Sequence, residues 1–241
     1  MSVLSKNLRK LQKSIAASSF IVNRALDERR GSQIIRSRFP DLTTSILEEN
    51  RKALEPLHAL YVREISTADM AISLESAAFL LAFAHCVSPK RIVDLGSGFS
   101  SYVLRLYASQ ASSDTRTYSV DDDSAWLKRT EEFLISEKVS TDDLCDWSDF
   151  ADQKEPKFDL ILHDMGSMET RANTLDIVIG LLAPGGAIIL DDMHKIDYNA
   201  HARRRVREAG LELFSLRKLT ADGFQRFAEL AIRKDSGSAA D

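Results

Sequence analysis

Apolar positions along this chain follow two rhythms, and the change comes near residue 90. Before it, the spacing is helical. Leu4, Leu8, Leu11 and Ile15 share one face of a basic first segment, residues 1–38. Residues 41–65 repeat the pattern with Leu42, Ile46, Leu47, Leu54, Leu57, Leu60 and Tyr61, and Pro56 inside it predicts a break or kink. Leu74, Ala78, Leu81, Ala82 and His85 predict a third helix over 69–86, ended by Ser88-Pro89.

Beyond Arg91 the rhythm shortens. Ile92, Val93 and Leu95 predict a buried strand, and Tyr102, Val103, Leu106 and Tyr107 a helix after it. Thr115 to Val120 predicts the next strand, followed by Asp121-Asp122-Asp123 and a helix through Lys138. A weak segment near Leu144 precedes a clear strand from Phe158 to His163. Leu175, Val178, Ile179 and Leu182 predict a helix, and Pro184-Gly185-Gly186 turns the chain into Ala187 to Leu190. A helix over about 198–209 stops at Gly210, the usual position just past a helix end. This alternation predicts an α/β fold, a doubly wound, mostly parallel Rossmann-like sheet covered on both faces. The last strands, 211–218 and 224–232, are joined by Thr220-Ala221-Asp222-Gly223, a link short enough to predict an antiparallel hairpin.

Composition changes this picture at one point. A chain of 241 residues, 44% of them apolar, can bury a full core. Its net charge of -4 is unevenly spread, because residues 1–38 hold nine Lys and Arg against Asp27 and Glu28. That basic arm could dock on its own body, a partner or a membrane surface. Without interleaved aromatics or a known module, nucleic acid is not the expected partner. Free of acids before Asp27 and rich in serine, the arm also has the look of an organelle transit peptide. No run of eighteen apolar residues predicts a membrane span. Cys86 and Cys145 lack metal-ligand spacing and point to a reducing, cytoplasmic setting. The expected division is an N-terminal helical segment over 1–68, a main domain over 69–235 and a disordered tail over 236–241.

Candidate chemistry gathers at predicted strand ends, where open α/β sheets bind ligands. Arg91 to Ser101 (RIVDLGSGFSS) joins a strand to a helix N-terminus through Gly96-Ser97-Gly98, a concave, N–H-lined turn with a favourable dipole. Asp94 lies inside the strand, two residues before the first glycine, and Ser101 stands where a dinucleotide fingerprint wants its third glycine. A plain tight turn is the alternative. Asp121 could accept both hydroxyls of a ribose, since a carboxylate fork matches a vicinal diol. Asp122 and Asp123 compete with it or cap the following helix.

An acid followed by G-x-G resembles motif I of the class I S-adenosylmethionine (AdoMet)-dependent methyltransferases, whose sheet also ends in an antiparallel pair. The segments DLILHD (Asp159–Asp164) and LAPGGAIILDDMHK narrow the resemblance to the metal-dependent catechol- and caffeoyl-CoA-type O-methyltransferases. It covers about residues 70–232. The resemblance implies the seven-stranded methyltransferase fold, AdoMet as cofactor and a small hydroxylated acceptor. It implies cofactor contacts at Asp94, Gly96, Ser97, Gly98, Ser101, Asp121 or Asp122 and Asp164. It also places Asp146 and Trp147 at the adenine and Glu75 near the methionine moiety; a Trp packed on the sheet and a solvated helix carboxylate are the alternatives. Asp164, Asp191 and Asp192 stand where that family holds a divalent cation, and three oxygen ligands suit Mg²⁺ or another hard ion.

One departure bears on catalysis. The family's lysine base falls at Ser167, whose hydroxyl cannot replace an amine. His163, His194 and Lys195 are then the nearby alternatives as base, and Asp164 joins His163 and His194 as a candidate catalytic residue. The first 65 residues match no family; in the superfamily this region commonly forms a lid or a homodimer surface. Three readings compete with O-methylation. They are metal-independent N- or C-methylation using a His base, a catalytically inactive scaffold of the same fold, and an NAD-dependent oxidoreductase.

Overall fold

The computed structural model describes residues 27–111, 114–152 and 157–233. Helix α1 occupies residues 27–38. The helix expected from Leu4 to Ile15 and the tail expected over 236–241 lie outside the described residues. Helix α2 (Thr44–Glu64) starts at Thr43, whose side chain accepts from the Ile46 N–H, and it runs through Pro56 as one element. The expected break does not occur. Leu54 and Tyr61, on either side of the proline, are buried in the same hydrophobic cluster as β-sheet residues. That packing holds the helix across one missing N–H. Helix α3 (Leu74–Val87) begins five residues later than the expected 69, because Ser73 caps it by accepting from Ser76 N–H.

The sheet then builds in order: β1 (Arg91–Leu95), α4 (Phe99–Gln110), β2 (Arg116–Asp121), α5 (Ser124–Ser136), β3 (Leu144–Asp146), α6 (Trp147–Asp152), β4 (Phe158–His163), α7 (Met168–Leu181), β5 (Leu182–Leu190), α8 (Ile196–Glu208), β6 (Leu211–Ser215), α9 (Arg217–Thr220) and β7 (Glu229–Arg233). Its seven strands lie in the order β3-β2-β1-β4-β5-β7-β6. The first five are parallel, and β7 runs antiparallel between β5 and β6.

Alternation along the strands explains both layers. Ile92, Leu160, Leu162 and Ile189 enter the cluster shared with α2, α3 and α4. Val93, Leu95, Ile161, Ile188 and Leu190 enter the opposite cluster with α7 and α8. A sheet buried on both faces reads as continuous apolar runs, as β4 and β5 do.

The last two strands form the expected antiparallel pair, through a longer connection than expected. Residues 217–220 form the short helix α9, and β7 starts at Glu229 rather than at 224. Asp222 is the cause: its Oδ1 accepts from the N–H groups of Phe224 and Arg226, and its Oδ2 from the Arg226 guanidinium. Those bonds wind 222–226 into a tight loop and take it out of the ladder. No described helix is long and apolar enough to cross a membrane.

Candidate active site

A cavity of about 360 Å³ opens outside the carboxyl ends of β1, β2, β4 and β5. One wall is the glycine turn. Gly96 has φ +110°, and a Cβ there would sit 2.6 Å from the backbone of Asp164. Only glycine lets the turn after β1 pass so close to the tip of β4.

Asp94 lies behind that wall rather than in it. It is fully buried, and its Oδ2 accepts from the hydroxyls of Ser100 (3.0 Å) and Ser101 (2.6 Å). Ser101 in turn accepts from the N–H of Gly98. Asp94 therefore fixes the turn through two serines. Its Oδ1 is buried with no hydrogen-bond partner, and burial raises its pKa to about 7.

Asp121, at the tip of β2, lines the cavity. Its Oδ2 accepts from Ser97 N–H (2.7 Å) and Ser97 Oγ (2.8 Å), and its Oδ1 from Asp123 N–H (3.1 Å). Three of about four lone-pair positions are thus used. Burial pushes its pKa up against these donors. Asp122 also lines the cavity, with its carboxylate against Gly166. Asp123 is the cap of α5, accepting from Ala125 and Trp126 N–H.

The opposite wall carries the acids of β4 and β5, and an arginine lies among them. Arg171 reaches in from the first turn of α7, with its side chain only 7% exposed. One terminal nitrogen lies 2.6 Å from Asp164 Oδ1, the other 3.1 Å from Asp192 Oδ2, and Nε donates to the Met165 carbonyl. Burial works against this charge, yet Asp164, Asp192 and Asp191 outweigh it and hold the guanidinium protonated. Burial raises the pKa of Asp164 and of Asp191; Arg171 works against both shifts, and the neighbouring carboxylates add to them.

This arrangement does not fit a divalent cation at Asp164, Asp191 and Asp192. Two of the three acids already spend an oxygen on a fixed guanidinium. Among the described residues no group of three His, Cys, Asp or Glu side chains is placed to hold a metal ion.

Neither expected histidine base reaches the cavity. His163 is fully buried, with Nε2 beside Thr174 Oγ1 (3.1 Å) and Nδ1 beside the Tyr198 hydroxyl (3.3 Å). Burial lowers its pKa to about 3, so it stays neutral. His194 sits 3.4 Å from Asp192 Oδ1 but lines a separate cavity with Met193, Asn199 and Phe227. Burial lowers its pKa, with Asp192 opposing. Ser167 is the cap of α7, accepting from Thr170 N–H.

Besides Asp94, the expected cofactor contacts Ser101, Asp146, Trp147 and Glu75 also lie off the cavity wall. Asp146 accepts from Ser148 N–H and Oγ. Trp147 packs on Phe150 with ring centroids 5.9 Å apart. Glu75 lines a different hollow beside Arg51.

Sequence reasoning missed Tyr61, Trp126, Arg171 and Arg226, which all line the cavity. Trp126 Nε1 donates to the Ser97 carbonyl at 2.7 Å. Arg226 donates to the carbonyls of Ala68, Asp69 and Ala71, tying that segment down at the cavity's edge. The N-cap Asp123 three residues before Trp126 is a usable signal for the tryptophan; a single sequence carries none for the arginines.

No family model and no curated protein matches the sequence. Solved structures do. Cofactor-bound Rv0187 from MTB matches 73% of this chain and 89% of its own, with 16% identity and a TM-score of 0.56. An O-methyltransferase from Bacillus cereus in complex with SAH matches 84% and 96%, with 16% identity and a TM-score of 0.54. The O-methyltransferase TomG from Streptomyces achromogenes, in complex with SAM, matches 80% and 91%, with 15% identity and a TM-score of 0.52. The chain has the fold of the class I AdoMet-dependent methyltransferases.

Proposed function

We propose that this chain is an AdoMet-dependent O-methyltransferase acting on a small hydroxylated acceptor. The observation that supports this most is that a single cavity joins the glycine turn and Asp121 to the acids at the tips of β4 and β5. One side suits a nucleoside and the other a polar acceptor.

The residues present fit AdoMet. Asp121 keeps one lone-pair position after its three bonds, and Asp122 adds a second carboxylate on the same wall, so the pair can receive a ribose diol. Trp126 offers an aromatic surface beside the turn. Bound there, AdoMet supplies an electrophilic methyl group, whose C–S bond breaks toward sulfur as the acceptor oxygen forms the new C–O bond. The chain's own contribution is to hold the acceptor oxygen in line and to take its proton. With both histidines away from the cavity, a carboxylate of the β4–β5 cluster is the group to accept that proton. Burial and crowding raise the pKa of Asp164 and Asp191 and make them stronger bases than free carboxylates.

The test is to incubate the purified protein with methyl-labelled AdoMet and a panel of phenolic and other hydroxylated acceptors. Label is expected on an acceptor oxygen. Label transferred to nitrogen or carbon instead, or no transfer to any acceptor, would contradict O-methylation.

A further inference from the structure

The three acids that the sequence offers as metal ligands enclose a cation that the chain itself supplies. We propose that Arg171 stands in for the divalent cation, so that the β4–β5 half of the cavity works without metal.

Four observations carry this. First, the guanidinium spans Asp164 and Asp192, at 2.6 Å and 3.1 Å, and so lies between acids at the tips of two adjacent strands. Second, it is held from behind by the Met165 carbonyl and is almost wholly buried, so an incoming ion would have to displace a charge already paired and fixed in place. Third, a guanidinium has five N–H donors, and these contacts use three. Two remain on the terminal nitrogens of a residue that lines the cavity, where an acceptor oxygen can meet them. Fourth, Ser167, at the place where the resemblance expects a lysine, is engaged as the cap of α7. The nearest fixed positive charge on that helix is Arg171, one turn further in.

The consequence concerns the acceptor. A bound metal selects two adjacent oxygens that can chelate it. A planar fork that binds by hydrogen bonds has no such need, so a single hydroxyl suffices. This inference rests on the methyl-transfer reading for its consequence, but its test does not, because metal uptake is measured without AdoMet or acceptor.

The probe is Mn²⁺ alone, followed by the electron paramagnetic resonance signal of the free ion. Wild-type protein is expected to leave the signal undiminished at submillimolar Mn²⁺. Arg171→Ala, which frees the carboxylates of Asp164 and Asp192 beside that of Asp191, is expected to take up one Mn²⁺ per chain, at least about tenfold more tightly than wild type. Where Arg171→Ala does not fold alone, Arg171→Gln keeps much of the stem and takes its place, and folding of either variant only with Mn²⁺ also supports the proposal. Two results would overturn it: stoichiometric Mn²⁺ uptake by wild type that Asp192→Ala abolishes, or folded Arg171 variants that bind no Mn²⁺. Absence of AdoMet binding would sink the methyl-transfer reading and leave this result standing.

Discussion

The two halves of the cavity solve the same problem, a buried carboxylate at a strand tip, by opposite means. Around β1 and β2, serine hydroxyls and backbone N–H groups hold Asp121 and one oxygen of Asp94, whose Oδ1 has no partner. Around β4 and β5, Asp164 and Asp192 are satisfied by the guanidinium of Arg171. Neutral donors leave the first half without a paired positive charge and shaped by the turn, which suits a cationic nucleoside and its sugar. The paired charge gives the second half a fixed electrophile beside a set of bases. Division of labour within one cavity thus follows from which donors lie beside each acid: the glycine turn, the start of α4 and Asp123 N–H on one side, and Arg171 of α7 on the other.

Removing the cation from one half should have the largest effect. Arg171→Ala leaves buried carboxylates without their partner and is expected to cost about 3–5 kcal/mol in chemical denaturation. Added Mn²⁺ should return part of that stability. An unchanged midpoint would mean that the acids are solvated in solution.

Gly96→Ala attacks the point where the halves touch. The new Cβ would meet the Asp164 backbone at 2.6 Å, in a left-handed conformation that alanine resists. A loss of roughly 2–3 kcal/mol is expected, with loss of nucleoside binding.

Asp94→Asn distinguishes the halves by pH. Native Asp94 holds its proton to about pH 7, whereas an unfolded aspartate releases it near pH 4. Between these values the folded chain binds more protons than the unfolded one, so rising pH lowers stability. The stability contributed by this group is fully present below the lower value and is gone above the upper one. The advantage of wild type over Asp94→Asn should therefore shrink across that window, by at most about 1.4 kcal/mol per pH unit. Parallel stability curves for the two proteins would refute the assignment.

The smallest effect is expected at Ser167. Ser167→Ala should cost about 1 kcal/mol, and Ser167→Asp, another good cap, should restore it. Failure of aspartate to restore stability would argue against a capping role.

How much of this was legible in the sequence depends on whether neighbours in space are neighbours in the chain. FDLILH was readable because a strand buried on both faces must be apolar throughout, and β4 spans Phe158–His163 as expected. The glycine turn was readable because strand, turn and helix are consecutive. Acids at strand ends were readable as a set, since parallel topology brings all strand tips to one edge. Their partner was not. In METRANT, Arg171 has the look of any solvated helix arginine, and only the packing of α7 on β4 and β5 turns it inward. His163 misled for the converse reason. It ends a strand at the right edge, but its side chain points toward Thr174 and Tyr198 in the core. Tyr61 was hidden because α2 reads as a separate segment, although it shares one core with β1 and β4.

The most direct measurement is calorimetric titration of AdoMet and of NAD into wild type and Asp121→Ala. One AdoMet per chain is predicted, weakened about tenfold or more in Asp121→Ala by loss of charge-assisted hydrogen bonds, with no heat from NAD. Binding of NAD, or AdoMet binding indifferent to Asp121, would contradict a sulfonium nucleoside at the tips of β1 and β2.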